Sequence, residues 1–390
     1  MVRVAFIPGP ARQAWLGGVS YFRNLIGALL DRENRLIEPI ILTARNAADP
    51  LLAELPTVER AQLSSLTRGS ARWFMRKCIQ KLANADPLLE HDLIAHRIDV
   101  LSHSVHLGKR ARVPVIAWIP DFQHRRLPEF FPESERRARD KHFHWLCHNA
   151  ARIILSSHAA YQDLVDFHPS AVDKVRVLHF VASVPEPASL PSHQSLADKY
   201  GITEPYFLLP NQFWAHKNHL VVIEALAVLK RQAKSIVVLA TGNTHDYRQP
   251  DHFPRLQARV AQLGLEREYR PLGIVPYGDL MGLMWHSIAV LNPSKFEGWS
   301  TTVEEAKSMG KAVILSDLPV HREQAPPGGS YFEPDDAETL GRLLLQHRAA
   351  REDHAHIARE QEARGRLKQR RSEFARRYEE IVLECLAERS

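Results

Sequence analysis

The sequence predicts an α/β protein of two domains, each a parallel sheet flanked by helices. Three observations carry this. At 390 residues the chain is too long for one ordinary core and suits two domains of roughly 180 residues each. Short apolar runs of strand length alternate with stretches of helical spacing, the pattern of βαβ units. That pattern breaks at Val184-Pro185-Glu186-Pro187-Ala188-Ser189-Leu190-Pro191-Ser192, rich in proline and small residues, and then restarts. Residues 1–185 are therefore read as the first domain, 186–370 as the second, and 371–390 as a closing helix.

Val2 to Ile7 opens the chain as a strand and runs into Pro8-Gly9-Pro10, a loop. Gly17-Gly18 then open a helix whose Phe22, Leu25, Ile26, Leu29 and Leu30 follow helical spacing. Paired glycines let the backbone approach a phosphate or sugar closely, with a plain turn as the alternative. No Gly-x-Gly-x-x-Gly follows, so this is not a dinucleotide fingerprint. In residues 68–82, Phe74, Met75, Cys78, Ile79 and Leu82 share a helical face, while Arg68, Arg72, Arg76, Lys77 and Lys81 crowd the other side and the edges. Such a basic amphipathic helix suits an anionic membrane surface, or else packs its apolar face on the domain core.

The next strands are Asp99 to His106, Val113 to Ile119, Ala151 to Ser157 and Lys174 to Phe180. Polar groups at the carboxyl ends of parallel strands face a ligand crevice, which singles out His103, His106 and Pro120-Asp121-Phe122-Gln123-His124. Glu129 to Cys147 reads as a mobile, charged, helix-rich insertion. In the second half, Tyr206 to Leu209 leads into Pro210-Asn211-Gln212-Phe213-Trp214-Ala215-His216-Lys217-Asn218-His219 and a helix. Lys217 stands at that helix's N-terminus, the unfavourable end for a cation unless an anion is bound there. Strands at Ile236 to Ala240 and Arg270 to Pro276 follow, the latter carrying Ile274 and Val275. Phe374, Tyr378, Ile381, Val382 and Cys385 give the last helix its apolar spacing.

The most informative stretch lies between the apolar runs 288–291 and 312–315. Val303 to Met309 has helical composition and Gly310 is placed to stop it. Glu297 sits in the turn after a strand and Glu305 eight positions later within the helix. A helix N-terminus favours an anion such as a diphosphate; Gly298 allows close approach, and Ser300, Thr301 and Thr302 add hydroxyl donors. The flanking carboxylates can accept hydrogen bonds from sugar hydroxyls.

Bulk composition sets limits. With 45% hydrophobic and 25% charged residues, the chain has the make-up of a soluble globular protein. Cys78, Cys147 and Cys385 are widely separated, which fits a reducing cytosol and gives neither a disulfide framework nor a metal spacing. No basic-then-apolar leader opens the sequence, and no apolar run nears 18 residues. Residues 1–190 hold 25 Lys/Arg against 19 Asp/Glu, whereas the remainder balances at 26 and 26. The basic half implies an anionic partner. The excess is small for a nucleic-acid binder and no recognition motif accompanies it, so no nucleic-acid partner is expected.

Glu297 to Glu305 resembles the Glu-x7-Glu signature of retaining glycosyltransferase family 4, the group 1 glycosyltransferases, which have the GT-B fold. Glu297-Gly298, an aromatic at Trp299 and Glu305-Ala306 are kept, while Ser300-Thr301-Thr302 replaces the usual Gly-Leu-Pro. The resemblance spans nearly the whole chain. It implies two Rossmann-like domains facing a central cleft, with the terminal helix crossing back to the first domain. It also implies a metal-independent retaining transfer of a hexose from a GDP- or UDP-linked donor to a glycan or lipid-linked acceptor. Donor contacts implied are Gly17, Gly18, Asn211, Gln212, Lys217, Ile274, Val275, Glu297, Gly298, Trp299, Ser300, Thr301, Thr302 and Glu305. Catalytic roles are implied for Glu297, Lys217, His124 and Asp121.

Two departures matter: Pro120 stands where the family carries a histidine, so His124, His103 or His106 supplies the imidazole, and Gln212 stands in place of the phosphate-gripping arginine. No Asp-x-Asp occurs, so no metal or other cofactor is expected. The setting implied is cell-surface polysaccharide or lipopolysaccharide assembly, cytoplasmic or peripheral at the inner face of the membrane. The alternatives are a nucleotide-sugar epimerase of the same architecture and a catalytically silent partner that binds a sugar nucleotide or glycan.

Overall fold

The computed structural model describes residues 1–8, 16–45, 55–104, 107–350 and 355–387. Gly9, Pro10 and His106 lie outside them. By contacts the chain divides into two compact units. The first holds Met1–Phe122, Ser134–Val181 and Gln369–Ser390, and the second holds Gln123–Glu133 and Ala182–Lys368.

In the first unit the strands are β1 (Val2–Phe6), β2 (Ile37–Ala44), β3 (Glu59–Leu63), β4 (Val100–Ser102), β5 (Val115–Ile119), β6 (Arg152–Leu155) and β7 (Val175–Val177). They form one parallel sheet in the order β3-β2-β1-β4-β5-β6-β7. The sequence reading assigned no strand to β2 or β3, for physical reasons. Pro39 interrupts β2, which normally argues against a strand paired on both sides. β3 is an edge strand that buries only Ala61 and Leu63. Nor does the segment at 129–147 behave as a loose insertion. It contains the helix Glu133–Asn149, which buries Phe143, Leu146 and Cys147 against β5 and β6 residues, as an ordinary crossover helix does.

Gly17 and Gly18 were expected ahead of a helix; they fall inside its first turn, in Leu16–Leu30. The terminal helix is longer than its apolar stripe indicated, running Ala355–Ala387. Its last part belongs to the first unit, where Phe374, Tyr378, Ile381, Val382 and Cys385 are buried and Glu379 pairs with Arg32 at 3.1 Å.

That docking includes a buried polar chain. The Tyr378 hydroxyl donates to Ser102 Oγ at 2.7 Å, and Ser102 Oγ lies 2.8 Å from His103 Nδ1. His103 Nε2 lies 2.8 Å from the Tyr21 hydroxyl, whose ring stacks on Trp118 at 4.3 Å. Since Tyr378 donates to Ser102, Ser102 donates in turn to Nδ1, leaving the proton on Nε2. Both nitrogens of His103 are thus engaged within the first unit.

The second unit holds β8 (Tyr206–Leu209), β9 (Val237–Thr241), β10 (Tyr269–Gly273), β11 (Val290–Asn292), β12 (Val313–Ser316) and β13 (Gly329–Phe332). They form a parallel sheet in the order β10-β9-β8-β11-β12-β13. Both faces are covered. Tyr206, Leu208, Val237, Leu239, Val290, Val313 and Leu315 enter one apolar cluster, while their neighbours Phe207, Leu209, Val238, Ala240, Leu291 and Ile314 enter the other. This explains why these strands are continuous apolar runs rather than alternating ones. Strand order reverses direction between β8 and β11, and ligands of such sheets bind outside the carboxyl ends at that switch point.

Burial has a measurable consequence in each unit. Burial pushes His103 in the first unit and His219 in the second down to about 3. Their folded values lie below the unfolded one, so their contribution is complete above pH 6.5 and is lost as pH falls from there toward 3. The first unit's unfolding free energy is expected to be flat above pH 7 and to decline by about 1.4 kcal/mol per pH unit below 6.5 from His103 alone. The second unit's is expected to decline more steeply, because His216 and His321 are buried with lowered values as well. Denaturant titrations between pH 7.5 and 4.5 measure it.

Candidate active site

The loops after β8 and β11 leave adjacent strands at the switch point, and each delivers one charged residue. After β8 the chain makes a tight turn at Ala215–Lys217, and Asn218 takes a left-handed conformation at φ 56° before the helix His219–Arg231. Asparagine tolerates that region and its side chain secures it. Asn218 Nδ2 donates to Pro293 O at 3.1 Å and to Pro334 O at 2.7 Å, tying three strand-end loops together. His219 lies buried behind, Nε2 donating to Gln212 O at 3.1 Å and Nδ1 accepting from the Tyr269 hydroxyl at 2.8 Å. Lys217 is thereby held at the β11 loop.

After β11 the chain turns through Pro293 to Ser300 into the helix Thr301–Met309, which starts two residues before the apolar pattern indicated. Ser300 caps it, accepting from Val303 N at 3.3 Å, and Gly310 ends it at φ 74°, the left-handed stop read from the sequence. Lys217 Nζ donates to Glu297 Oε1 at 2.7 Å, with the side chains only 15% and 9% exposed. The same oxygen lies 2.7 Å from Ser294 Oγ and accepts from Asn292 Nδ2 at 3.3 Å. Asn292 in turn donates to Ser300 Oγ at 2.7 Å and accepts from Asn211 Nδ2 at 3.1 Å. Burial alone would raise the Glu297 carboxyl. The Lys217 charge and the hydrogen bonds from Lys217 and Ser294 outweigh burial and hold it below the usual glutamate range. With a depressed folded value, the pair is intact at neutral pH and is lost only as acid passes below that range.

Two residues that the sequence left without a role complete this floor. Gln324, from the helix Pro319–Gln324, grips the Ser300 backbone from both sides, accepting from Ser300 N at 3.3 Å and donating to Ser300 O at 3.0 Å. His321, on the same helix, is fully buried and donates from Nδ1 to Ser316 O at 2.8 Å. Burial lowers its imidazole despite the opposing pull of Glu297, so it is neutral at pH 7. Both belong to a strand-end segment, Ser316 to Gln324, whose position after β12 was the available signal.

The other expected site residues fall in several places. Glu305 is buried in the helix Thr301–Met309 and accepts from the Tyr277 hydroxyl at 3.1 Å. Thr302 is buried, donating to Pro210 O at 3.4 Å, while Gly298, Trp299 and Thr301 are half-buried at the helix entrance. Ile274 is 69% exposed after β10, and Val275 beside it is half-buried. Gln212, which stands in place of the arginine, is half-buried; its Oε1 accepts from Asn243 N at 2.7 Å and braces the loop after β9. That loop comes so close that a Cβ on Gly242 would lie 2.5 Å from Asn211 O. His124 is buried on the short helix Gln123–Arg126, grouped with the second unit. Gly17, Gly18 and Asp121 belong to the first unit.

Comparisons with known proteins bear on this arrangement. Residues 194–364 match the family described as glycosyl transferases group 1. Over those residues the chain is similar to the group 1 glycosyltransferases. Lys217, Glu297, Glu305, His321 and Gln324 all fall within the matched segment. The chain is also 32% identical over 136 residues to the O-antigen chain mannosyltransferase RfbU of Salmonella typhimurium, a match covering 35% of this chain and 36% of that protein. Among solved structures it is similar to Anabaena HepE in complex with UDP and glucose. The TM-score there is 0.70 at 17% identity, over 98% of this chain and 100% of that one. A glycosyltransferase from Rickettsia africae gives a TM-score of 0.70 at 18% identity, over 99% and 98%. With two Rossmann-like parallel-sheet units and these neighbours, the fold is GT-B. Among the described residues no helix is long and apolar enough to cross a membrane.

Proposed function

We propose that the protein is a retaining glycosyltransferase that moves a hexose from a UDP- or GDP-linked donor to a glycan or lipid-linked acceptor in cell-surface polysaccharide assembly. One observation carries the reading. A mostly buried cation, Lys217, is aimed by a carboxylate, Glu297, at the start of a capped helix on the switch point of the sheet. A diphosphate placed there meets the Lys217 ammonium and the N–H groups opening Thr301–Met309, which stabilise the charge that develops on the leaving group. In this scheme no metal is needed for that task. Glu297, with Oε1 fixed by Lys217 and Asn292, orients sugar hydroxyls, and Glu305 holds the ribose. Exposed Ile274, with Val275, lies against the base.

His124 and Asp121 are proposed at the reacting carbon, and Gly17-Gly18 as backbone that approaches the donor. With no second carboxylate assigned as nucleophile, the acceptor attacks on the leaving-group face and its proton passes to the departing phosphate. The similarity to HepE, whose structure holds UDP and glucose, supports a nucleotide-sugar donor, and the similarity to an O-antigen chain mannosyltransferase supports the glycan setting. Incubation with UDP-glucose or GDP-mannose and a saccharide acceptor in EDTA tests the reading. Release of UDP or GDP with a product of the donor's anomeric configuration is expected. An inverted product, or turnover only after a divalent metal is restored, contradicts it.

A further inference from the structure

The helix Ala71–Ala83 is turned the wrong way round for a globular protein. Its polar side faces the protein: Arg76 is buried, donating from Nε to Asp86 Oδ2 at 2.7 Å and from Nη1 to Ser65 O at 3.2 Å. Gln80, one turn on, also donates to Asp86, and Arg72 pairs with Asp92. Asp86 is itself buried and caps the next helix, Pro87–Ala95, by accepting from Leu89 N at 3.2 Å. This clip fixes the rotation of the helix and directs its apolar stripe to solvent. Phe74 is 56% exposed, Met75 50% and Leu82 88%, and Cys78 between them is exposed as well. These four positions lie on one side of the helix, spaced so that neighbours fall one turn apart, and so form one continuous strip about 12 Å long. Trp73 sits at the border with its ring edge-on to Phe74, centroids 5.0 Å apart.

Charge identifies what such a strip fits. Residues 68–82 carry five Lys/Arg and no Asp or Glu. Two of the five, Arg72 and Arg76, are neutralised by Asp92 and Asp86. Arg68, Lys77 and Lys81 remain exposed beside the apolar residues. We propose that this helix is an interfacial docking element that lays Phe74, Met75, Cys78 and Leu82 into an anionic lipid surface while Arg68, Lys77 and Lys81 meet the headgroups. Apolar residues bordered by lysines are what a headgroup layer accommodates, since long cationic side chains reach phosphates from an inserted helix. A protein interface would instead be depleted of lysine at its core. Insertion of this kind needs no spanning helix, and it stands independently of the transferase reading.

Co-sedimentation of the full chain with vesicles tests it. Vesicles of phosphatidylcholine with about one third phosphatidylglycerol are expected to bind at least tenfold more tightly than phosphatidylcholine alone, and the difference is expected to shrink at high salt. Phe74→Glu/Leu82→Glu and, separately, Lys77→Glu/Lys81→Glu each remove that binding, while the circular dichroism spectrum and the melting temperature of the first unit stay unchanged and report an intact fold. A fluorophore on Cys78 is expected to shift blue on anionic vesicles only. Equal or absent binding to both vesicle types overturns the proposal. So does self-association in solution that Phe74→Glu/Leu82→Glu abolishes, which would assign the strip to a second copy of the chain.

Discussion

A Lys217→Ala protein is expected to melt about 5–10 °C below wild type in its second unit and to bind nucleoside diphosphate at least tenfold more weakly. Both effects follow from the pair at 2.7 Å. Removing one member of a fully buried ion pair costs about 3–5 kcal/mol, because the other charge is left uncompensated. Here Ser294 and Asn292 still bond the Glu297 carboxylate, and the pair keeps some access to water, so about 2–3 kcal/mol is the better figure. For a domain of this size each kcal/mol moves the midpoint about 2–4 °C. The double variant Lys217→Met/Glu297→Gln separates the two losses. With both charges gone most of the melting temperature returns, yet the cation proposed to meet a diphosphate is still missing. Calorimetric scans with and without nucleotide distinguish these outcomes.

Glu297→Gln has the opposite signature. The amide nearly preserves shape, while Lys217 loses its counter-ion and keeps its full charge for the ligand. Nucleoside diphosphate is expected to bind as well as in wild type or better, while kcat for transfer falls by about 10²–10³, the scale of losing one preorganised polar group at a reacting centre. A purely structural glutamate would lower stability and binding together and leave kcat of the surviving folded fraction unchanged. The split between Kd for the nucleotide and kcat, measured on the same preparation, decides between them.

Much of this site was legible from residue order because its parts are close in sequence. The turn bearing Glu297, the helix after it and the Gly310 stop are set by local chemistry, and Lys217 drew notice as a cation at an unfavourable helix end. Ser316 to Glu323 is readable as a strand-end loop near the same crevice, but no role for His321 or Gln324 is, since their contacts with the site depend on the pairing of β11 with β12, which no spacing encodes. Gln212 was readable as a departure from the family pattern, but its bond to Asn243 depends on how closely the β9 loop packs.

The helix Ala71–Ala83 shows a different limit. Periodicity found its two faces correctly, yet cannot tell which one is buried. Asp86, ten residues beyond Arg76, reverses the usual answer by fixing the polar face inward. In the first sheet, β2 and β3 escaped notice because a central proline and an edge position weaken the apolar pattern that marks a strand.

The most direct test of the donor site is the melting temperature of the wild-type protein and of Lys217→Ala in EDTA, with UDP, GDP, ADP or dTDP. Saturation at about 100 times Kd adds about 2.7 kcal/mol to a two-state unit, a rise of about 5–10 °C. The account predicts such a rise with UDP or GDP in wild type, and a rise about half as large or smaller in Lys217→Ala at the same nucleotide concentration. Absence of any shift with all four nucleotides would contradict it.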